Sequence, residues 1–65
     1  MTEPAYPILR FFAYTHLPPH LQSISRPFAE LATEMAYLLP PGAETAAGLR
    51  KLIEAKDCFV RAALE

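Results

Sequence analysis

Residues 17–65 decide the fold of this 65-residue chain, and they read LPPHLQSISRPFAELATEMAYLLPPGAETAAGLRKLIEAKDCFVRAALE. It contains two runs in which apolar residues recur at spacings of three and four, the period of an amphipathic helix. Pro40-Pro41-Gly42 separates the runs, because helices usually end before a residue that precedes proline. A connection of about three to five residues forces antiparallel packing. The sequence therefore predicts an all-α fold, an antiparallel two-helix hairpin that forms a single domain over residues 1–65.

The first helix is predicted over residues 17–39. Leu17-Pro18-Pro19 is typical of a helix start, since proline is tolerated in the first turn. Pro27 removes one backbone hydrogen bond inside the helix. The apolar phase survives across Pro27, which favours a continuous helix kinked near Ser23 over a break that restarts at Pro27. The inner stripe is predicted at these positions: Leu21, Ile24, Phe28, Leu31, Met35 and Leu38.

The second helix is predicted over residues 43–64, with Glu44 in its first turn favourably placed against the helix dipole. Asp57 and Arg61 have the spacing of a helix-favouring ion pair worth ~0.3 kcal/mol. Its inner stripe is predicted at these positions: Leu49, Leu52, Ile53, Phe59, Val60 and Ala63.

Residues 1–16 form a predicted N-terminal arm. Residues 1–7 carry two prolines, Pro4 and Pro7, and are expected to be extended or irregular. Residues 8–14, ILRFFAY, are compatible with a strand, an irregular arm or a short helix, because periodicity cannot decide over so few residues. As an arm, their aromatic side chains would pack across a neighbouring hairpin.

The apolar content exceeds what one hairpin can bury. The chain is 52% apolar, and a single core is marginal at this size unless disulfides, metals or oligomerisation support it. Cys58 is the only cysteine, and His16 and His20 lack further residues that would complete a metal site. We therefore expect a helical oligomer without a metal. The first helix has a second apolar edge, and we interpret it as an oligomer interface rather than as a result of the helix propensity of alanine alone. The edge consists of these residues: Ala29, Ala32, Ala36, Tyr37 and Leu39.

Charge and motifs exclude several classes of function. A net charge of −1 argues against a general binder of DNA or RNA. The N-terminal residues show neither a signal peptide nor a membrane span, and a lone cysteine fits a reducing cytosol, so a cytoplasmic protein is expected. No pattern suggests a catalytic triad, a phosphate loop or a redox pair, so we expect no enzyme activity and no cofactor.

Three residues could serve a ligand. Tyr14 precedes a helix and could stack on a nucleobase, although a packing role is the more common one for a lone tyrosine. Lys56 falls at the edge of the inner stripe, where a lysine either reaches solvent, pairs with a carboxylate or finds an anion. Lys51 lies on a flanking face that is usually solvated.

The order of these features resembles the phage anti-CBASS/anti-Thoeris hairpin family, whose members sequester cyclic oligonucleotide signals of bacterial immunity. An aromatic pair and a tyrosine precede a proline-containing helix start, a proline-rich turn follows, and a lysine-containing second helix completes the pattern. The resemblance covers residues 11–64 and rests on these runs: FFAYTHLPPHLQ, FAELA, LLPPGAET and AGLRKLIEAKDCFVRAAL.

The resemblance implies a non-catalytic sponge for cyclic di- or trinucleotides in the cytoplasm of an infected bacterium, assembled as a hexamer made of three dimers. It implies that Tyr14 stacks on a base. The family's basic residue on the first helix aligns with Ala29, and Arg26 is the expected substitute. Lys51 matches a lysine of the second-helix pattern, and Arg61 is a candidate for a trinucleotide site. Lys56 is a further candidate ligand-binding residue if the interface between protomers brings it to the nucleotide site. The alternative function is an oligomeric protein–protein interaction module without a nucleotide ligand.

Overall fold

The computed structural model describes residues 6–65, which contain three helices and no strand. A short 3₁₀ helix, η1, spans Pro7–Phe12, and two long helices follow, α1 over Pro19–Leu38 and α2 over Ala43–Ala63. The prediction of an all-α fold is confirmed. Residues 8–14, which left three possibilities open, mostly form a short helix. Residues 1–5 of the predicted arm lie outside the described residues.

The two long helices pack antiparallel. Next to the turn, Met35 of α1 and Leu49 of α2 line the same groove. At the opposite end, the ring of Phe28 in α1 stacks on that of Phe59 in α2 with 5.7 Å between centroids. Residues early in α1 therefore meet residues late in α2. The helix η1 contacts both α1 and α2 and covers one side of the hairpin.

The helix α1 runs without interruption through Pro27, so the alternative of a break at this residue is wrong. Since Pro27 has no N–H, the carbonyl of Ser23 lacks its usual helical donor. The helix begins at Pro19, later than the predicted residue 17. Pro18 serves as its N-cap, and the Pro18 carbonyl accepts from the backbone N–H groups of Leu21 and Gln22, each at 2.9 Å.

The face of α1 that meets α2 is only partly the predicted one, because Leu21 and Phe28 of the predicted stripe do pack inward. Ala32 and Ala36 are 0% and 6% exposed within a single chain, although the sequence placed them on a second, outer edge. Leu31 and Leu38, predicted to face inward, are 43% and 66% exposed. Alanines let two helices approach closely, and the larger leucines then lie on the flank. The prediction that these alanines are exposed in a monomer is wrong.

The core joins η1 to the hairpin. Phe12 is 2% exposed and clusters with Ala32, Ala36 and Leu49 of the same chain. The prediction that the aromatic residues of the arm pack across a neighbouring hairpin is therefore wrong for Phe12. Its neighbour Phe11 is 57% exposed.

Two predictions for α2 are corrected. Phe59 was expected in the inner stripe but is 57% exposed, although it stacks on Phe28. The expected ion pair between Asp57 and Arg61 does not form, because Asp57 pairs instead with Lys56 at 3.0 Å. The Arg61 guanidinium donates to the Cys58 sulfur at 3.4 Å.

The described part of the chain is thin. Its principal extents are 36 × 23 × 16 Å. Few side chains in such a body can be remote from solvent, which explains the many exposed apolar residues. Within residues 6–65, no helix combines the length and the apolar character that a membrane crossing requires.

Candidate functional site

Tyr14 is half-buried and lines two adjoining grooves. The larger, which we call the acidic groove, has a volume of about 410 Å³, and the smaller, the loop groove, of about 290 Å³. Tyr14, Ala29 and Thr33 line both. The larger volume falls within the ~300–1,000 Å³ that is typical of ligand sites. The acidic groove is lined by these residues: Tyr14, Ala29, Glu30, Thr33 and Glu34.

The loop that follows Tyr14 is tied to the first turn of α1. The backbone N–H of Leu17 donates to the Tyr14 carbonyl at 3.0 Å. The amide nitrogen of Gln22 donates to the Leu17 carbonyl at 2.7 Å and, more weakly, to that of Thr15 at 3.4 Å. These bonds hold the backbone that follows Tyr14 in place, although Tyr14 itself is not part of a helix.

Lys56 holds the segment that precedes Tyr14. Its Nζ donates to the carbonyl of Phe11 at 3.2 Å and pairs with Asp57 Oδ1 at 3.0 Å. Only 13% of the Lys56 side chain is exposed, so its aliphatic part is packed while its charge is satisfied. The sequence left three roles open for Lys56. In the structure, its ammonium pairs with a carboxylate and also bonds a backbone carbonyl. In a single chain, Lys56 thus positions the Tyr14 segment.

Arg26 lies one turn before the acidic groove on α1. Its Nε donates to Glu30 Oε2 at 3.2 Å, and Glu30 lines the groove. The two side chains are 62% and 61% exposed, and ion pairs this exposed are worth only ~0–1 kcal/mol. The Arg26 guanidinium is therefore available to exchange its partner at little cost. Ala29, the aligned position, contributes a small side chain to both grooves.

The other predicted basic residues are not brought to Tyr14. Lys51 is exposed on α2 and makes no ion pair within the described residues. Arg61 is exposed near the end of α2, where it contacts Cys58. Neither residue lines the acidic groove or the loop groove. A shared site with Tyr14 would require a second protomer.

Sequence reasoning missed three residues of the site. Glu30 and Glu34 share a helix face at the i,i+4 spacing, which is most often a solvated surface, and their proximity to Tyr14 comes only from the tertiary fold. Gln22 was not recognised as the residue that fixes the loop. The signal available for it was its place in the first turn of α1, where side chains commonly bond the preceding loop.

The residues that line the acidic groove include no cationic side chain, so the groove does not attract an anion by itself. Tyr14 and Ala29 line it together with Glu30 and Glu34. Arg26, at the edge, is the one cation tied directly to a residue of the groove within the described part of the chain.

Two further grooves are apolar. The turn groove, of about 280 Å³, includes Leu31, Met35 and Leu39 beside α2. The end groove, of about 540 Å³, includes Pro27, Phe28 and Phe59. Both adjoin apolar side chains that are exposed in the single chain, which makes them candidate contact surfaces. Among residues 6–65, no three His, Cys, Asp or Glu side chains cluster in a way that could hold a metal ion.

No family model matches this chain, and no curated protein or solved structure shows significant similarity to it. The resemblance to the phage hairpin family therefore stays a prediction.

Proposed function

We propose that this protein is a phage-type immune-evasion sponge, which binds cyclic di- or trinucleotide second messengers and sequesters them without cleaving them. The observation that carries the proposal is the placement of Tyr14. Its segment is fixed on one side by Gln22 and on the other by Lys56, and its side chain borders two open grooves. A fixed aromatic wall beside open space suits a stacked nucleobase.

Stacking gives such a site its affinity for the base. Base–aromatic stacking contributes ~1–3 kcal/mol per base, and it needs an exposed ring face more than it needs hydrogen bonds. A tyrosine that is already ordered loses little conformational entropy on binding. The Gln22 and Lys56 contacts support this role because they order the backbone around Tyr14 before a ligand arrives.

Arg26 is proposed to contact a phosphate. Charge-assisted hydrogen bonds from a guanidinium to a phosphate are among the stronger polar contacts. The exposed bond between Arg26 and Glu30 is weak, so replacing the carboxylate partner with a phosphate is energetically accessible. Lys51 and Lys56 are the further residues that we propose to bind a phosphate, at an interface between protomers. Arg61 is the candidate residue for a separate trinucleotide site.

The proposal includes assembly, because one groove offers too little for a ligand with two bases and two phosphates. A two-fold axis presents the same residues twice, which matches the pseudo-symmetry of a cyclic dinucleotide. The exposed apolar side chains around the turn groove and the end groove support a helical homo-oligomer, for which we propose a hexamer made of three dimers. The proposed location is the cytoplasm of the infected bacterial host.

A second candidate is an oligomeric protein–protein interaction module without a nucleotide ligand. The observation that favours it is the apolar surface near the turn, where Tyr37, Leu38 and Leu39 are 47%, 66% and 46% exposed. Adjacent exposed apolar groups mark interaction sites in small proteins. A module of this kind would need the apolar surface but not Tyr14, so one substitution separates the two functions.

Calorimetric titration with a panel of cyclic di- and trinucleotides tests the proposal. Tyr14→Ala should weaken binding about ten- to hundredfold, because the stack is lost, while Tyr14→Phe should bind nearly as well as the unaltered chain. His20→Ala is the matched control, since it removes an exposed aromatic ring that lines neither the acidic groove nor the loop groove. Equal loss in Tyr14→Ala and His20→Ala would refute the stacking role, and unchanged binding in both would do the same.

A further inference from the structure

Gly48 lies inside α2 without a reason that the single chain supplies. It is exposed and lines the turn groove. A glycine stabilises a helix less than an alanine does, because it loses more backbone freedom on folding. No described glycine has a positive φ, and a Cβ built on Gly48 would meet none of the described atoms within 4 Å, apart from the adjoining residues and helix backbone. Neither the backbone conformation nor crowding within the chain therefore requires this glycine.

The turn groove is bordered by large apolar side chains that the single chain leaves uncovered. Near the end of α1, Leu31, Leu38 and Leu39 are 43%, 66% and 46% exposed. Leu31 and Leu39 line the groove, as do the half-buried Met35 and Leu52. Leu31, Met35 and Leu38 have the i, i+4, i+7 spacing of a stripe that packs against another helix. This part of the stripe has no helix against it in one chain.

We infer that the turn groove faces the turn groove of a second copy, with the two α2 helices crossing antiparallel at Gly48. The inference rests on the homo-oligomer that the proposed function includes. A glycine at the crossing lets two backbones approach closely, which gives Gly48 the role that the single chain does not. Around a two-fold axis each groove meets its own copy, so one contact covers the exposed leucines of both chains.

The apolar border has the area that such a contact needs. A standard interface buries about 800 Å² on each partner, a little over half of it apolar. The exposed parts of Leu31, Leu38 and Leu39, with the adjoining parts of Met35 and Leu52, amount to about 300–400 Å², comparable with the largest apolar patch on a typical monomer. Two such patches face to face supply most of the apolar area of a standard interface.

The small core of the single chain favours a second copy over an unrelated partner. Five apolar residues are buried within residues 6–65, and two of them are alanines. A domain of this size with so small a core needs support from outside itself. A second copy supplies that support wherever the chain is made, whereas an unrelated protein would have to be present in equal amount.

The charges beside Gly48 are complementary across an antiparallel crossing. Glu44 lines the groove four residues before Gly48, and Lys51 is exposed three residues after it. Neither makes an ion pair within the described residues. An antiparallel crossing at Gly48 brings Glu44 of each copy towards Lys51 of the other. A parallel crossing would bring like charges together, so the charges favour the antiparallel arrangement.

Substitutions of Gly48 test the contact by sedimentation equilibrium, which gives the concentration at which half of the chains are associated. Gly48→Ala should raise this concentration about tenfold and Gly48→Leu about a hundredfold, because the added atoms keep the helices apart. Alanine favours the helix itself, so weaker association of Gly48→Ala cannot come from a damaged helix. Glu54→Leu is the matched control: it places leucine at an exposed position of α2 outside the groove and should change association little.

The outcomes separate this contact from the nucleotide site. Unchanged or tighter association of both Gly48 variants would overturn the inference, and cyclic-nucleotide binding by those variants would leave the sponge function standing. Equal weakening by Gly48→Leu and Glu54→Leu would also overturn it, as would a monomeric unaltered chain, which would favour an unrelated partner at this groove. Association that only the Gly48 substitutions weaken, in a chain that binds no cyclic nucleotide, would support the inference and refute the proposed function.

Discussion

Ser25 is a buried polar residue whose removal should stabilise the protein. Its side chain is 0% exposed on α1, and its Oγ has no hydrogen-bond partner within the described residues. A buried polar group left without a partner costs about 1–3 kcal/mol. We therefore expect Ser25→Ala to raise the free energy of unfolding, the opposite of what most core substitutions do.

The expected magnitude follows from three contributions. Removing the unpaired hydroxyl recovers about 1–3 kcal/mol, and the higher helix propensity of alanine adds about 0.5 kcal/mol. The void left by one oxygen atom is smaller than a methyl group and costs at most about 1 kcal/mol. The net expectation is a stabilisation of about 1–2 kcal/mol by Ser25→Ala.

Urea unfolding followed by circular dichroism measures this effect. With a slope of about 1 kcal/mol/M for so small a protein, the midpoint of Ser25→Ala should rise by about 1–2 M without a change of slope. Protomer concentration must be equal in all samples, because association contributes to apparent stability. Ser23→Ala is the matched control: this serine is exposed and donates to the His20 carbonyl at 2.9 Å, so its midpoint should move little. A lowered midpoint for Ser25→Ala would refute the reasoning, since it would show that the hydroxyl is bonded.

Three further predictions concern assembly and the backbone. Sedimentation equilibrium at micromolar concentration should give a mass several times the 7.2 kDa of one chain, and a well-folded monomer would contradict the assembly that the sponge requires. Pro27→Ala should leave the fold intact and raise the urea midpoint, because it restores the missing N–H donor in α1; a lowered midpoint would mean that the proline ring packs in a way alanine cannot replace. Lys56→Met should keep the packed aliphatic part but lose the bond to the Phe11 carbonyl, so amide hydrogen exchange should accelerate around residues 11–14, and unchanged exchange would show that Lys56 does not hold this segment.

The order and extent of the long helices could be predicted because local signals mark them. The prolines before α1 and the Pro40-Pro41-Gly42 turn act through backbone geometry that does not depend on the rest of the fold. Continuity through Pro27 was predictable for a related reason, since the apolar period keeps its phase on both sides of that residue.

The inner face of α1 could be predicted only in part from periodicity, because two faces of this helix are apolar. Leu31 and Leu38 carry more hydrophobic surface than Ala32 and Ala36, so a hydrophobicity pattern alone favours the leucines. The packing favours the alanines, which allow α2 and Phe12 to approach closely. That preference depends on the shapes of two other elements, and the sequence of α1 alone does not contain it.

The candidate site was predictable only in part. Tyr14 was singled out by its place before a helix, and Arg26 by its place on α1. The glutamates that line the acidic groove with Tyr14 are residues 30 and 34, and the three come together only after η1 docks against the hairpin. Residues so far apart in the sequence meet only through tertiary packing. The acidic character of the groove could therefore not be predicted from the Tyr14 segment or from α1 alone.

Recovery of the bound ligand tests the central claim most directly. The chain is incubated with cyclic dinucleotides, free ligand is removed by size-exclusion chromatography, the complex is heated, and the released nucleotide is analysed by liquid chromatography. The unaltered chain should retain a cyclic dinucleotide and release it chemically intact, while Tyr14→Ala should retain much less. Retention of no cyclic di- or trinucleotide would contradict the sponge function and favour the interaction module, and release of linear products would contradict sequestration without cleavage.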